Sequence, residues 1–79
     1  MTTTNQVITE TWTLISTTTA LLQCQGNSGC LVYVGGTAPT SNSASIRLSM
    51  NDTYAYTPTS DTLYARADSG LTVTIAIIK

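Results

Sequence analysis

LYARADSGLTVTIAIIK, residues 63–79, alternates apolar and polar side chains on both sides of a turn-forming Asp68-Ser69-Gly70. In a strand, every second side chain lies on the same face. A three-residue loop with Gly70 in the left-handed conformation sets Ala67 opposite Leu71, Ala65 opposite Val73 and Leu63 opposite Ile75. One face of this hairpin is then wholly apolar. The other pairs Arg66 with Thr72 and Tyr64 with Thr74. A two-residue loop would set Arg66 against Val73, and a slip of one residue exchanges the faces, so the three-residue loop is preferred. Ile77 continues the inner face, and Ile78 falls on the other.

The same logic extends upstream. In ALLQCQGNSGCLVYV, residues 20–34, setting Cys24 opposite Cys30 gathers Ala20, Leu22, Val32 and Val34 with them on one apolar face. Leu21, Gln23, Gln25, Leu31 and Tyr33 take the other. The tip, Gly26-Asn27-Ser28-Gly29, is a run of turn formers. TWTLIS (11–16) puts Trp12 and Leu14 together, expected inward, with Thr11 and Thr13 outward. SIRLSM (45–50) puts Ile46, Leu48 and Met50 inward. DTYAYTP (52–58) puts Tyr54 and Tyr56 on one side and stops at Pro58, which cannot donate to a ladder. A short strand over Val7–Glu10 completes the set. No stretch carries a 3.6-residue period between helix caps, and threonine and serine make up about a third of the chain, suiting pleated, half-exposed surfaces. The fold class read from this is all-β: a small antiparallel β-sandwich or jelly-roll-like barrel of about six to seven short strands. It forms a single domain over residues 1–79, with residues 1–4 as a flexible N-terminal arm.

A chain of 79 residues buries too little surface to be robust alone and usually needs disulfides, a metal or partner subunits. Histidine is absent and there are two cysteines, which do not close a tetrahedral metal site without further ligands. Cys24 and Cys30 form either a disulfide or a pair of buried thiols. The thiol reading is preferred because MTTTNQVITE has neither the basic start nor the apolar segment of a secretory signal, which also places synthesis in a cytoplasm. Three basic and four acidic residues make up 9% of the chain, against about 25% in an average domain. Three scattered cations give nucleic acid little to bind, and the longest apolar run, Ile75–Ile78, is too short to span a bilayer. Scarce charge costs solubility on a free surface, but not on one covered by neighbours.

VYVGGTAPTSNSASIRL, residues 32–48, resembles a glycine-rich loop. A phosphate loop, however, needs spaced glycines, a following helix and usually a lysine. Here the glycines are adjacent and a strand follows, so the segment is a connection, with Gly35 and Gly36 ending a strand in conformations open to glycine. The serines have no histidine base. Glu10, Asp52, Asp61 and Asp68 are the carboxylates available for acid–base chemistry, and the three aspartates stand in turn contexts where they bond their own backbone. No catalytic set, cofactor site or metal site emerges, and the chain is read as not an enzyme. Tyr54 and Tyr56 are the candidates for an exposed aromatic patch. Together with Thr72 and Thr74 on the outer side of the last strand, they form the candidate interaction surface.

Read together, Trp12 before a strand, LLQ…LVYVGG, the TAPT loop, Ile46-Leu48, and the Tyr64-Ala65-Arg66 segment leading into Thr72-Val73-Thr74 resemble small all-β virion accessory proteins of tailed bacteriophages and prophages. The similarity runs from Trp12 onward, and Cys24 and Cys30 depart from the pattern. The resemblance implies a structural role: capsid decoration or cement, or a tail or head-fibre adaptor. The implied partners are copies of itself, a trimer being favoured because it suits icosahedral lattice sites, and a major capsid or other virion protein. The implied location is the virion, after synthesis in the host cytoplasm. From a different functional class, a carbohydrate- or receptor-binding module remains open, which requires two or three rings facing solvent.

Overall fold

The computed structural model describes residues 2–26, 29–37, 39, 44–57, 61–68 and 72–79. These residues form eight strands: β1 Thr3–Thr9, β2 Thr13–Ser16, β3 Ala20–Cys24, β4 Cys30–Gly35, β5 Ile46–Leu48, β6 Thr53–Tyr56, β7 Thr62–Ala67 and β8 Thr72–Ile78. Two four-stranded antiparallel sheets result, in the orders β1-β8-β3-β6 and β2-β7-β4-β5. The count is eight rather than six to seven. The first strand is longer than Val7–Glu10 suggests, and it takes in residues expected in a loose arm. Thr3 pairs with Ile78 and Thr4 with Ile77, while Thr2 and Lys79 exchange both backbone hydrogen bonds.

The expected hairpins are the main correction. Strands pair in a nested series, β1 with β8, β2 with β7, β3 with β6 and β4 with β5, joined by β3–β8 and β4–β7. Consecutive strands therefore lie in opposite sheets, except for the β4–β5 pair. Ala65 faces Val32 and Thr13, not Val73. Val73 faces Ile8. Most of the inside–outside assignment survives the change of partner: Leu63, Ala65, Ala67, Val73, Ile75 and Ile77 are all buried, as are Ala20, Leu22, Cys24, Cys30 and Val32, but Val34, expected with them, is 37% exposed, and Leu31 and Tyr64, expected outward, are buried. One core between the sheets takes residues from both. Each fully buried aliphatic in it, such as Leu22, Leu63 or Ile75, contributes about 1.5–3 kcal/mol. Ser69, Gly70 and Leu71, on which the loop conformation of the opening hairpin rested, lie outside the described residues.

The strand over Thr13–Ser16 breaks alternation. Leu14 pairs with Tyr64 and Ser16 with Leu63, so Ile15 is an extra residue, a β-bulge. Ile15 turns into the core and Leu14 is 55% exposed, the reverse of the expected assignment. The Ile15 carbonyl accepts from Lys79 Nζ at 2.9 Å. The buried Ser16 hydroxyl donates to the Thr18 carbonyl at 2.7 Å and accepts from the Thr18 amide, so its burial leaves no polar group unpaired. Ile46 and Met50, expected inward, are about half exposed, and only Leu48 of that set is core.

Gly35 closes β4 without a left-handed backbone. A Cβ there would stand 2.5 Å from the Tyr33 ring, so glycine is required by close approach. Among the described residues, Gly29 and Asn51 take positive φ, 74° and 72°. Asn51 turns the chain between β5 and β6, where Asp52 accepts from the Ser49 amide through Oδ2 and its own amide donates to the Ser49 carbonyl. That is the turn role read for Asp52.

Candidate functional site

The inner faces are spent on the core, so any site must be built on the two outer faces or the rims. Outward residues of the β2-β7-β4-β5 sheet include Leu14, Tyr64, Arg66, Leu31, Tyr33 and Arg47, since Leu14 pairs with Tyr64, Tyr64 with Tyr33, Arg66 with Leu31 and Leu31 with Arg47. Trp12, one residue before β2, joins them. Its ring lies 6.0 Å from that of Tyr33 at 59°, and Tyr33 lies 6.4 Å from Tyr64 at 46°. The Arg66 guanidinium stands 5.5 Å over the Trp12 ring, a cation–π arrangement. Arg66 Nη1 donates to the Glu10 and Ala67 carbonyls, at 3.4 and 3.3 Å. Its Nε is buried without a hydrogen-bond partner among the described residues. Arg47 pairs with Asp68 at 3.0 Å, which gives Asp68 a cross-strand role that its turn context did not suggest.

This cluster corrects the reading of Trp12 as core. Trp12 and Leu14 do share a face, but it is the outer one. The rings are tilted onto one another and Arg66 covers one of them, so they do not form an open coplanar platform. The sequence carried one signal for the cluster: Tyr33, Tyr64 and Arg66 all fall on the non-core phase of their strands.

Tyr54 and Tyr56 are not an exposed patch. They pair with Leu22 and Ala20 and point inward with them. Tyr56 is buried, and Tyr54 packs against the core edge. The Tyr56 hydroxyl donates to the Asp61 carbonyl. Burial holds this phenol above its ordinary pKa, with Asp61 adding to the effect. Thr72 and Thr74 do lie on an outer face, that of the β1-β8-β3-β6 sheet. Arg66 and Tyr64, expected opposite them, belong to the other sheet.

The outer face of the β1-β8-β3-β6 sheet is chemically different. Its cross-strand rows are Thr3–Ile78–Leu21–Ala55, Asn5–Ala76–Gln23–Thr53, Val7–Thr74 and Thr9–Thr72. None of these twelve side chains is ionisable or aromatic. A depression of about 260 Å³ lies around Ala76, between Leu21, Gln23 and Ile78, just under the roughly 300–1,000 Å³ of small-molecule sites. A second hollow, about 360 Å³, opens beside Val34, Ala44, Ile46 and Tyr54. No carboxylate, cysteine, lysine or arginine side chain lines either hollow.

Cys24 and Cys30 are free, buried thiols on strands of opposite sheets. Cys24 Sγ donates to the Gly26 carbonyl at 3.6 Å. Burial, reinforced by Cys24, pushes the Cys30 thiol up to about 12, so it stays protonated and unreactive as a nucleophile near neutral pH. Among the described residues, no three His, Cys, Asp or Glu side chains come together as a metal site would require. No family model, curated protein or solved structure matches this chain.

Proposed function

We propose that this protein is a structural, non-enzymatic accessory subunit of a tailed-bacteriophage virion, most directly a capsid decoration or cement protein. It acts by packing against the particle and against copies of itself. The observation that carries the reading is the chemistry of the two broad faces. One has no charge, and the other closes its aromatic and cationic groups onto each other, so both offer area and little reactivity. The nested strand pairing is that of the eight-stranded jelly roll, an architecture used in viral capsid and lectin domains. Architecture alone assigns no function, but it agrees with the sequence resemblance. The test is mass spectrometry and cryo-electron microscopy of particles produced by a genome carrying this sequence. Stoichiometric density on the shell is expected. Density confined to the tail or to head fibres selects the adaptor role instead, and absence from the particle refutes the proposal.

The alternative of a carbohydrate- or receptor-binding module is favoured by one feature, the Trp12–Tyr33–Tyr64 rings with Arg66 on a solvent-facing sheet. Glycan-array binding abolished by Trp12→Ala would establish it.

A further inference from the structure

We infer that the uncharged face of the β1-β8-β3-β6 sheet is a contact between two copies of this chain, related by a two-fold axis. The chain has seven acidic and basic residues, and none of them is among the twelve outward side chains of this sheet. Arg47 and Arg66 lie on the opposite face. In a two-fold contact the same patch meets itself. A patch with a net charge then repels its copy, and one with mixed charges must align them. This patch does neither, and it leaves no charge to be stripped of water.

Shape points the same way. The molecule is a slab of 31 × 29 × 16 Å, so one broad face has an outline of roughly 700 Å², close to the ~800 Å² per partner of a stable specific interface. The face carries no ring and no long charged chain, so a second sheet can approach to the ~10 Å spacing of stacked sheets. It also has a knob and a hole. Val7, 63% exposed, stands proud beside Thr74, while the depression around Ala76 lies between Leu21 and Ile78. A two-fold axis in the plane of contact, midway between them, seats each copy's Val7 in the other's depression. Such a dimer serves the packing role proposed above. It is measured without any particle, however, so the two proposals can fail separately.

Sedimentation equilibrium of the whole chain and three variants tests this. The wild type should be a dimer at micromolar concentration. Val7→Lys and Gln23→Glu should each weaken self-association roughly 100-fold or more, because each buries an uncompensated charge in the contact. Both positions are on the surface, and unchanged circular dichroism and melting would show that the fold is kept. Mixed together, Val7→Lys and Gln23→Glu should restore a heterodimer, since the axis brings each lysine to the other copy's glutamate. Leu14→Lys, on the opposite sheet, should leave the dimer intact. A monomeric wild type, or a dimer broken by Leu14→Lys and not by Val7→Lys, would overturn the inference. So would failure of the mixed pair to associate, or a three-fold assembly that the Val7 change does not affect.

Discussion

Replacing Ile15 and Leu14 by alanine, one at a time, tests the phase of β2. Ile15 is 2% exposed and Leu14 is 55% exposed, whereas a core-facing Trp12, which shares its face with Leu14, would have buried Leu14. Ile15→Ala removes three carbons from the core, worth about 2.4 kcal/mol at ~0.8 kcal/mol each. A residual cavity adds up to another 1–2 kcal/mol, for an expected total of about 2.5–4 kcal/mol. Leu14→Ala loses at most half of its transfer energy and leaves no cavity, so about 1 kcal/mol or less is expected. Since a domain of this length has about 4–12 kcal/mol in total, the two variants should separate clearly. Urea unfolding followed by far-UV circular dichroism is the assay, because the single tryptophan, Trp12, is too close to both sites to serve as a neutral probe. Equal losses, or a larger loss for Leu14, would mean that Ile15 is not the inward residue and that the Leu14–Tyr64 pairing is wrong.

Further outcomes follow from the same structure. Val73→Asp places an unpaired carboxylate in the core and should cost several kcal/mol, whereas Thr72→Asp, outward and exposed, should change monomer stability by about 0.5 kcal/mol or less; equal tolerance in urea melts would refute the β8 phase. Because the folded state keeps the Cys30 proton to about 12 and the free thiol loses it near 9.0, stability is full below pH 9 and falls as pH rises toward 12, by up to about 1.4 kcal/mol per pH unit. Cys30→Ala should flatten that decline, and an unchanged slope in alkaline urea titrations would show that another group causes it. Gly35→Ala drives a methyl against the Tyr33 ring and should cost about 1–3 kcal/mol, with altered near-UV circular dichroism from the Trp12–Tyr33–Tyr64 cluster; an unaltered spectrum would count against that packing.

The faces of β3, β7 and β8 were largely legible and their partners were not, for one physical reason. Alternation records which side of a strand meets the core. Leu63, Ala65 and Ala67 point at the core equally well in a hairpin with Val73 and Ile75 or in a sheet opposite them. A short connection such as Asp68–Leu71 can turn back within a sheet or step across to the facing one, and the side-chain pattern is the same in both. Bulges are hidden for a related reason. Ile15 is one more apolar residue beside Leu14, and nothing in its type marks it as the inserted one. Trp12 misled through size, because a large ring suggests the core, yet its phase matches Leu14, Tyr64 and Arg66. Tyr54 and Tyr56 misled in the opposite direction, since a tyrosine can bury its ring and still satisfy its hydroxyl, as Tyr56 does at the Asp61 carbonyl.

A slab 16 Å thick has room for one layer of interdigitating side chains between two sheets about 10 Å apart. Most inward residues are therefore core and most outward ones surface, the exceptions being Leu31 and Tyr64, covered on the outer face, and Val34 and Ile46, exposed at the rim. Val7 and Leu21 on one broad face and Leu14 on the other consequently contribute little to folding. Single exposed aliphatics are ordinary on a charged surface. Around Val7 and Leu21 the neighbours are threonine, alanine, asparagine, glutamine and Ile78, and the solubilising charge that normally offsets such residues lies on the other sheet, the connections and the chain end. Threonine keeps a face of this kind wettable in the free subunit, and its methyl group still packs when the face is covered. The same composition that makes the domain look featureless is thus compatible with the packing role proposed above.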